Sequence, residues 1–256
     1  MICGTSIGAL VGAVYASGQL ERLESWVTGL LRREVVRLMD LTWKGGLIRG
    51  QRLFDLFRTM FQDINVDALG VPFGAVATDL ESGREIWLRH GNLFDVVRAS
   101  IAAPGVFTPV VLDGRLLVDG GLVNPVPVSM CRALGADIVV AIDLSWGKLG
   151  PYRDRRRDVA PQRPESKGLL ARLLRGERRD PERPHVPSIF EVFNTALDIV
   201  EQRVARSRLS GEPADVLITP LLPNFGAMEY HRGKEAIAEG RAAVERMAPL
   251  IEQVMR

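Results

Sequence analysis

A five-residue motif near the start of the chain, GTSIG, has the spacing of a nucleophile elbow. In such an elbow a strand meets a helix at a tight turn, and the residue at the apex takes strained backbone angles. Gly4 and Gly8 would remove side chains that collide there. Ser6 would stand at the start of a helix, where the backbone N–H of Ile7 and the helix dipole favour negative charge on a substrate oxygen. The motif predicts a nucleophilic Ser6 or, alternatively, a glycine-rich helix start in which the polar side chains act only as caps.

A serine hydroxyl needs a base, and the sequence offers two candidates. His231 would complete the order serine, aspartate, histidine of a catalytic triad, but it falls at a predicted helix start rather than on a long loop. Asp119 follows an apolar strand and precedes Gly120 and Gly121, which let the backbone approach another segment closely. An ordinary Asp-Gly hairpin turn is the alternative for Asp119. Asn124, Pro125 and Pro127 follow this turn, and they favour a buried loop that enters a helix over a hairpin.

Alternating helix and strand patterns would position these residues. Apolar spacing predicts helices over residues 7–16, 20–32, 51–61, 92–99, 128–134, 188–211 and 233–256. Strands are predicted at 71–78, 85–88, 138–143 and 215–219, with a short hairpin around Asp113-Gly114. The β-branched run at 138–143 is typical of a strand covered on both faces. This alternation predicts a layered α/β domain.

Length and composition fit one globular domain over residues 1–256, with 46% hydrophobic and 25% charged residues. The net charge of +2 favours no class of partner. Cys3 and Cys131 are too few for a disulfide framework and lack metal-ligand spacing, which indicates a reducing compartment. The apolar start has no preceding basic residues and is short for a membrane span. We therefore expect a cytoplasmic protein.

Residues 146–187 differ in composition from the rest of the chain, with twelve Lys or Arg, six Asp or Glu and six Pro. Such a segment buries little apolar surface, so we expect a flexible insertion. Its cations, and the loop 41–49 with its tryptophan, are compatible with peripheral contact with an anionic membrane. The alternative for residues 146–187 is a solvated linker, and the alternative for the loop 41–49 is ordinary packing of its apolar residues in the core. Nucleic-acid binding is not expected, because the cations lack interleaved aromatic residues.

Five blocks of the chain together resemble the patatin-like phospholipase family, in particular its bacterial and neuropathy-target-esterase-like serine hydrolases. The blocks are GTSIGALVGAVYASG, VATDLESG, RASIAAPGVFTPV, LVDGGLVNPVPV and FGAMEYHRGKEAIAEG. They follow the family order and cover most of the chain. The resemblance implies a three-layer α/β/α fold with a mostly parallel central sheet.

The resemblance also implies a Ser–Asp dyad that needs no metal or organic cofactor. Ser6 maps onto the nucleophile through the G-x-S-x-G block, and Asp119 maps onto the general base through the D-G-[AG] block. A carboxylate can act as this base because partial desolvation strengthens it. Residues of the same motifs are Gly4, Thr5, Ile7, Gly8, Gly120, Gly121 and Asn124. The implied reaction is hydrolysis of a phospholipid or lysophospholipid acyl ester through an acyl-enzyme. Acyl transfer and a non-catalytic lipid-binding scaffold are the alternatives, and the sequence favours no headgroup, acyl-chain length or oligomeric state.

One part of the family pattern has no counterpart here. The family places a first strand and a glycine-rich oxyanion loop before the elbow, whereas five residues precede Ser6 in this sequence. The glycine pairs Gly45-Gly46 and Gly120-Gly121 do not have the sequence context of this oxyanion loop, so they do not replace it. Losing one oxyanion donor costs about 10²–10³ in rate. We therefore expect an N-terminally truncated domain with weak esterase activity, which upstream sequence would restore if the start codon is misassigned.

Overall fold

The computed structural model describes residues 1–38, 51–61, 64–146, 189–222, 225–226 and 229–256. The loop 41–49 and residues 147–187 of the Arg/Pro-rich segment lie outside this part of the chain. The helices within it are α1 (Ile7–Ala16), α2 (Leu20–Gly29), α3 (Arg32–Leu38), α4 (Gln51–Phe61), α5 (Leu93–Ser100), α6 (Val128–Ala133), α7 (Ile189–Gly211) and α8 (Gly233–Val254). The strands are β1 (Ile2–Thr5), β2 (Phe73–Asp79), β3 (Glu85–Leu88), β4 (Val110–Leu112), β5 (Arg115–Asp119), β6 (Val140–Ile142) and β7 (Val216–Ile218).

Strand β2 is the centre of the larger sheet. It pairs in parallel with β1 and antiparallel with β3 and β5, and β4 joins β5 through a tight hairpin. The hairpin turn is formed by Asp113 and Gly114, both at positive φ (50° and 73°), as a two-residue turn of this kind requires. A second sheet consists of β6 and β7 in parallel. The sheet structure is therefore mixed, with parallel strands joined through helices and the antiparallel neighbours β2–β3 and β4–β5 joined through short turns.

Helices cover β2 on both faces. Phe73, Ala75 and Ala77 belong to the main apolar core, to which α1, α4 and α5 also contribute. Gly74 lies on the opposite face, where a Cβ would come 2.1 Å from the Met130 Cε atom of α6. Successive residues of a strand point to opposite faces, so the sheet is sandwiched between two helical layers. The expected three-layer α/β/α class is confirmed.

The run at 138–143 contains strand β6, but among the described residues only one of its faces is covered. Val139 and Ala141 are buried against α6 and α7. Ile138, Val140 and Ile142 are 41–55% exposed. The expectation of a strand covered on both faces is wrong for the described part of the chain, because β-branched composition reports strand propensity and cannot tell which face is packed.

Most helix boundaries follow the apolar pattern closely. The helix expected over 20–32 is divided, because Leu30 takes extended backbone angles (φ −65°, ψ 130°) between α2 and α3. α5 begins at Leu93, because the Asn92 side chain caps it by accepting from the N–H groups of Phe94 and Asp95. Within the described ranges, no helix is both long enough and apolar enough to cross a bilayer.

Candidate active site

The site forms where two strands end against the same edge of β2. At Ala75 and Val76, β2 pairs with both β1 and β3, so these strands lie on opposite edges. At Ala77, β2 pairs with both β3 and β5, so β5 shares the edge of β1. β1 ends at Thr5 opposite Val76, and β5, which runs the other way, ends at Asp119 opposite Ala77. The residues that follow the two strand ends are therefore brought together.

Ser6 occupies the apex of a sharp turn between β1 and α1. Its backbone angles are φ 55° and ψ −126°, in a region that non-glycine residues rarely adopt. Its carbonyl accepts from the N–H groups of Ala9 and Leu10, which begins α1. Its side chain makes no capping hydrogen bond to the helix. The alternative of a purely capping serine is therefore wrong, and the strained turn has the form of the expected elbow.

The two glycines of the motif do not play the same steric part. A Cβ on Gly4 would lie 2.5 Å from the Ala9 nitrogen and 2.6 Å from the Gly8 carbonyl carbon, so a side chain there collides with backbone. A Cβ on Gly8 would meet no atom of the described residues within 4 Å, and Gly8 is exposed. The expectation that both glycines relieve collisions holds for Gly4 and is wrong for Gly8, because the space that a Gly8 side chain would enter is open among the described residues.

The Ser6 hydroxyl donates to the Asp119 carboxylate, with 2.6 Å between Oγ and Oδ2. Asp119 is 3% exposed, and its other carboxylate oxygen accepts from the Gly121 N–H at 2.8 Å. The Asp119 backbone carbonyl accepts from the Thr78 hydroxyl at 2.8 Å, and its N–H donates to Ala102. These bonds hold the carboxylate in one orientation, with Oδ2 directed at the serine.

Residues after Asp119 form a buried turn rather than a hairpin. Gly120–Leu122 make one turn of 3-10 helix, and the chain then enters α6. A Cβ on Gly120 would lie 2.3 Å from the Val76 carbonyl oxygen, and one on Gly121 would lie 2.9 Å from a Glu201 carboxylate oxygen of α7. Both glycines thus allow the close approach that the sequence predicted, and the alternative of an Asp-Gly hairpin is wrong.

A fully buried hydroxyl that sequence analysis missed fixes the elbow backbone. The Ser100 Oγ atom accepts from the Ser6 N–H at 3.1 Å and donates to the Val76 carbonyl at 2.6 Å. It therefore joins the elbow to the central strand. Ser100 lies in the RASIAAPGVFTPV block, but its contact with Ser6 spans 94 residues of sequence. No local pattern carries such a signal.

A polar chain connects the elbow to α7. Thr5 donates its hydroxyl to the Asn124 carbonyl at 2.7 Å, and the Asn124 amide donates to Glu85 at 2.8 Å. Glu85 also accepts from Arg208 of α7 at 2.7 Å, and Arg208 donates to the Val123 carbonyl as well. Asn124 is fully buried, so its bonds satisfy its backbone carbonyl and its amide N–H, whereas its side-chain oxygen has no partner among the described residues. Thr5 and Asn124 thus support the site, and Glu85 and Arg208 are partners that sequence analysis missed.

His231 does not take part in this arrangement. It lies in the 3-10 turn Tyr230–Arg232, which packs against α2, α3 and α8. The Ser6 hydroxyl donates to Asp119 instead. The triad alternative is therefore wrong. In the part of the chain that the structure describes, no cluster of three or more His, Cys, Asp or Glu side chains forms a metal site.

The Gly4 geometry predicts opposite outcomes for two alanine substitutions. Gly4→Ala places a Cβ against backbone that cannot move aside, and we expect it to lower the free energy of unfolding by about 1–3 kcal/mol. Gly8→Ala adds a side chain in open space on a helix, and we expect stability unchanged or raised by up to about 1 kcal/mol. Urea denaturation of both variants and the wild type measures this difference. Equal losses in the two variants would contradict the steric argument.

The Ser100 geometry predicts a cost in stability when its hydroxyl is removed. Ser100→Ala leaves the buried Ser6 N–H and Val76 carbonyl without their hydroxyl partner, and we expect a loss of about 1–3 kcal/mol of stability. Ser145→Ala is the matched control, because the Ser145 hydroxyl is buried and has no hydrogen-bond partner among the described residues. We expect Ser145→Ala to unfold like the wild type in urea. Similar losses in both variants would contradict a specific role for Ser100.

Comparison with known proteins places this site in a family. A family model described as patatin-like phospholipase matches residues 1–132. An uncharacterized NTE family protein of Mycobacterium tuberculosis is 32% identical over 290 aligned positions, which cover 94% of this chain and 81% of that protein. Patatin-like phospholipase domain-containing protein 6 of Homo sapiens is 29% identical, over 60% of this chain and 13% of that protein. The chain belongs to the patatin-like phospholipase family.

Proposed function

We propose that this protein is a serine esterase that hydrolyses acyl esters of phospholipids or lysophospholipids through Ser6 and Asp119. The observation that carries the proposal is the 2.6 Å hydrogen bond from the Ser6 hydroxyl to the buried Asp119 carboxylate, at the apex of a strained turn. Nucleophile and base in direct contact are the signature of an activated serine. Family membership supports the same reaction class.

The reaction has two half-reactions. Ser6 Oγ attacks the ester carbonyl carbon while its proton passes to Asp119 Oδ2, and the resulting tetrahedral intermediate expels the alcohol, which takes that proton back. A water molecule then gives a proton to Asp119, attacks the acyl-enzyme and releases the fatty acid. Ser6 recovers its proton as the acyl group leaves. The backbone N–H of Ile7, at the first position of α1, is the proposed donor to the oxyanion.

The environment of Asp119 suits it to act without a histidine. The carboxylate is almost fully buried, so bulk water does not compete for the proton that Ser6 gives up. The Gly121 N–H binds one carboxylate oxygen, and this leaves the other directed at the serine. Such fixed orientation lowers the reorganisation that proton transfer would otherwise require.

The surface beside Ser6 supports a lipid substrate. Ile7, Val11 and Tyr15 are spaced four residues apart on α1, so they lie on one face of the helix. Their side chains are 41%, 41% and 56% exposed. This apolar stripe begins next to the nucleophile and extends along the helix. An acyl chain lying on it would place its ester group at Ser6, whereas a polar substrate would gain little from this surface.

The proposal predicts that both dyad residues are indispensable for ester turnover. With a chromogenic short-chain ester and a lysophospholipid as substrates, we expect Ser6→Ala and Asp119→Asn each to lower kcat/KM by about 10³-fold or more, because members of such a unit act together. Ser17→Ala, at the far end of α1, and the exposed Asp95→Asn are matched controls, and we expect wild-type rates from both.

Product analysis in the same assay separates the alternative activities. Free fatty acid indicates hydrolysis, and an acylated alcohol in the presence of glycerol indicates acyl transfer. Retained turnover in Asp119→Asn, with circular dichroism like that of the wild type, would contradict the dyad. Absence of any turnover or acyl transfer in the folded wild type would favour the non-catalytic scaffold.

A further inference from the structure

The exposed face of α1 is apolar from end to end. Its exposed residues are Ile7, Gly8, Val11 and Tyr15, whereas the other residues between Ile7 and Tyr15 are buried. None of the four carries a charge, and the helix has no acidic residue in its first turn and no basic residue in its last turn. In the described part of the chain, α1 therefore offers solvent three apolar side chains and a gap at Gly8.

The described fold does not require the gap at Gly8. A Cβ at this position would meet no atom of the described residues within 4 Å, and glycine is a poor helix former. A substrate bound at Ser6 does gain from the missing side chain. Gly8 lies two residues after the nucleophile, so the gap leaves room there for the first carbon atoms of an acyl chain.

The three apolar side chains follow one another away from Ser6 at regular intervals. Val11 lies about 6 Å beyond Ile7 along the helix axis, and Tyr15 lies about 12 Å beyond Ile7. An extended acyl chain attached at Ser6 would reach Val11 with about its fifth carbon atom and Tyr15 with about its tenth. The helix thus has a fixed length against which an acyl chain can be measured.

The size of this surface fits a single acyl chain and not a protein partner. The side chains of Ile7, Val11 and Tyr15 are 41–56% exposed, so about half of their area is available for contact. A stable protein interface buries about 800 Å² on each partner, which is far more than three half-exposed side chains provide. One acyl chain needs only a narrow strip, because each methylene gains from its own contact with an apolar surface.

We propose that the exposed face of α1 is an acyl-chain track that makes the enzyme selective for ester chains of about ten carbon atoms, with Val11 and Tyr15 as specificity-determining residues. This inference rests on the proposed esterase function and specifies its substrate. Each methylene that moves from water onto the track raises kcat/KM by about two- to fourfold. The gain ends beyond Tyr15, because α1 ends one residue later and serine, glycine and glutamine follow at 17–19.

The test compares p-nitrophenyl esters of increasing chain length, each below its critical micelle concentration. In the wild type, we expect kcat/KM to rise at least about 10²-fold from the acetyl to the decanoyl ester, because eight methylenes are added to the track. From the decanoyl to the dodecanoyl ester we expect a rise of less than about twofold, because the added methylenes lie beyond Tyr15.

Two variants locate the track on α1. Val11→Ser should lower the hexanoyl-to-butanoyl ratio of kcat/KM by about threefold or more, and Tyr15→Ser should lower the decanoyl-to-octanoyl ratio by a similar factor. Val244→Ser is the matched control, because Val244 is 43% exposed on α8 and Val11 is 41% exposed on α1. It should keep both wild-type ratios. A ratio of rates within one protein does not depend on the fraction of enzyme that is folded.

The outcomes separate the track from the esterase function. A kcat/KM that does not rise from the butanoyl to the decanoyl ester, or equal ratios in Val11→Ser, Tyr15→Ser and Val244→Ser, would overturn the track. If the wild type turns over none of the esters, the proposed function fails, and calorimetric titration with hexanoate and decanoate decides the track by itself. Decanoate bound at least about tenfold more tightly than hexanoate, and less tightly by Tyr15→Ser, would support it, whereas equal binding would overturn it.

Discussion

The site depends on two strands that end against one edge of β2 from opposite directions. β1 runs parallel to β2 and β5 antiparallel to it, and their last residues, Thr5 and Asp119, lie opposite neighbouring positions of β2. The register of a sheet is fixed by its backbone hydrogen bonds, so this juxtaposition requires no flexible loop. It places Ser6, the residue after β1, next to Asp119, the last residue of β5. The 2.6 Å contact of Ser6 with Asp119 follows from it.

Holding Ser6 at this point has a conformational cost. A non-glycine residue at such backbone angles is destabilised by about 1–3 kcal/mol. Three features hold the turn in this conformation. They are the hydrogen bonds that begin α1, the absence of a side chain at Gly4, and the Ser100 hydroxyl that accepts from the Ser6 N–H. The hydroxyl is therefore presented outside the helix, where it is available to a substrate, and it does not cap the helix as serine at this position usually does.

Sequence patterns predicted the local structure on either side of Ser6 and Asp119, but not the distant contacts that hold it in place. The helix at 7–16 was predictable because its apolar spacing and its glycine boundary are local signals. Asp119 was predictable because its two glycines signal a close backbone approach. Ser100 and Arg208 were not, because each acts across a long stretch of chain on a backbone atom of another element. The exposed face of β6 could not be read from composition either, since packing depends on neighbours distant in sequence.

Direct activation of Ser6 by Asp119 is tested by the rate of covalent modification, which does not require turnover. A fluorophosphonate reacts with an activated serine hydroxyl, and peptide mapping locates the adduct. We expect a single adduct on Ser6 in the wild type and, in folded Asp119→Asn, modification of the same residue at a rate lower by about 10³-fold or more if Asp119 activates Ser6 directly. An adduct on another serine, or equal rates in the two proteins, would contradict it.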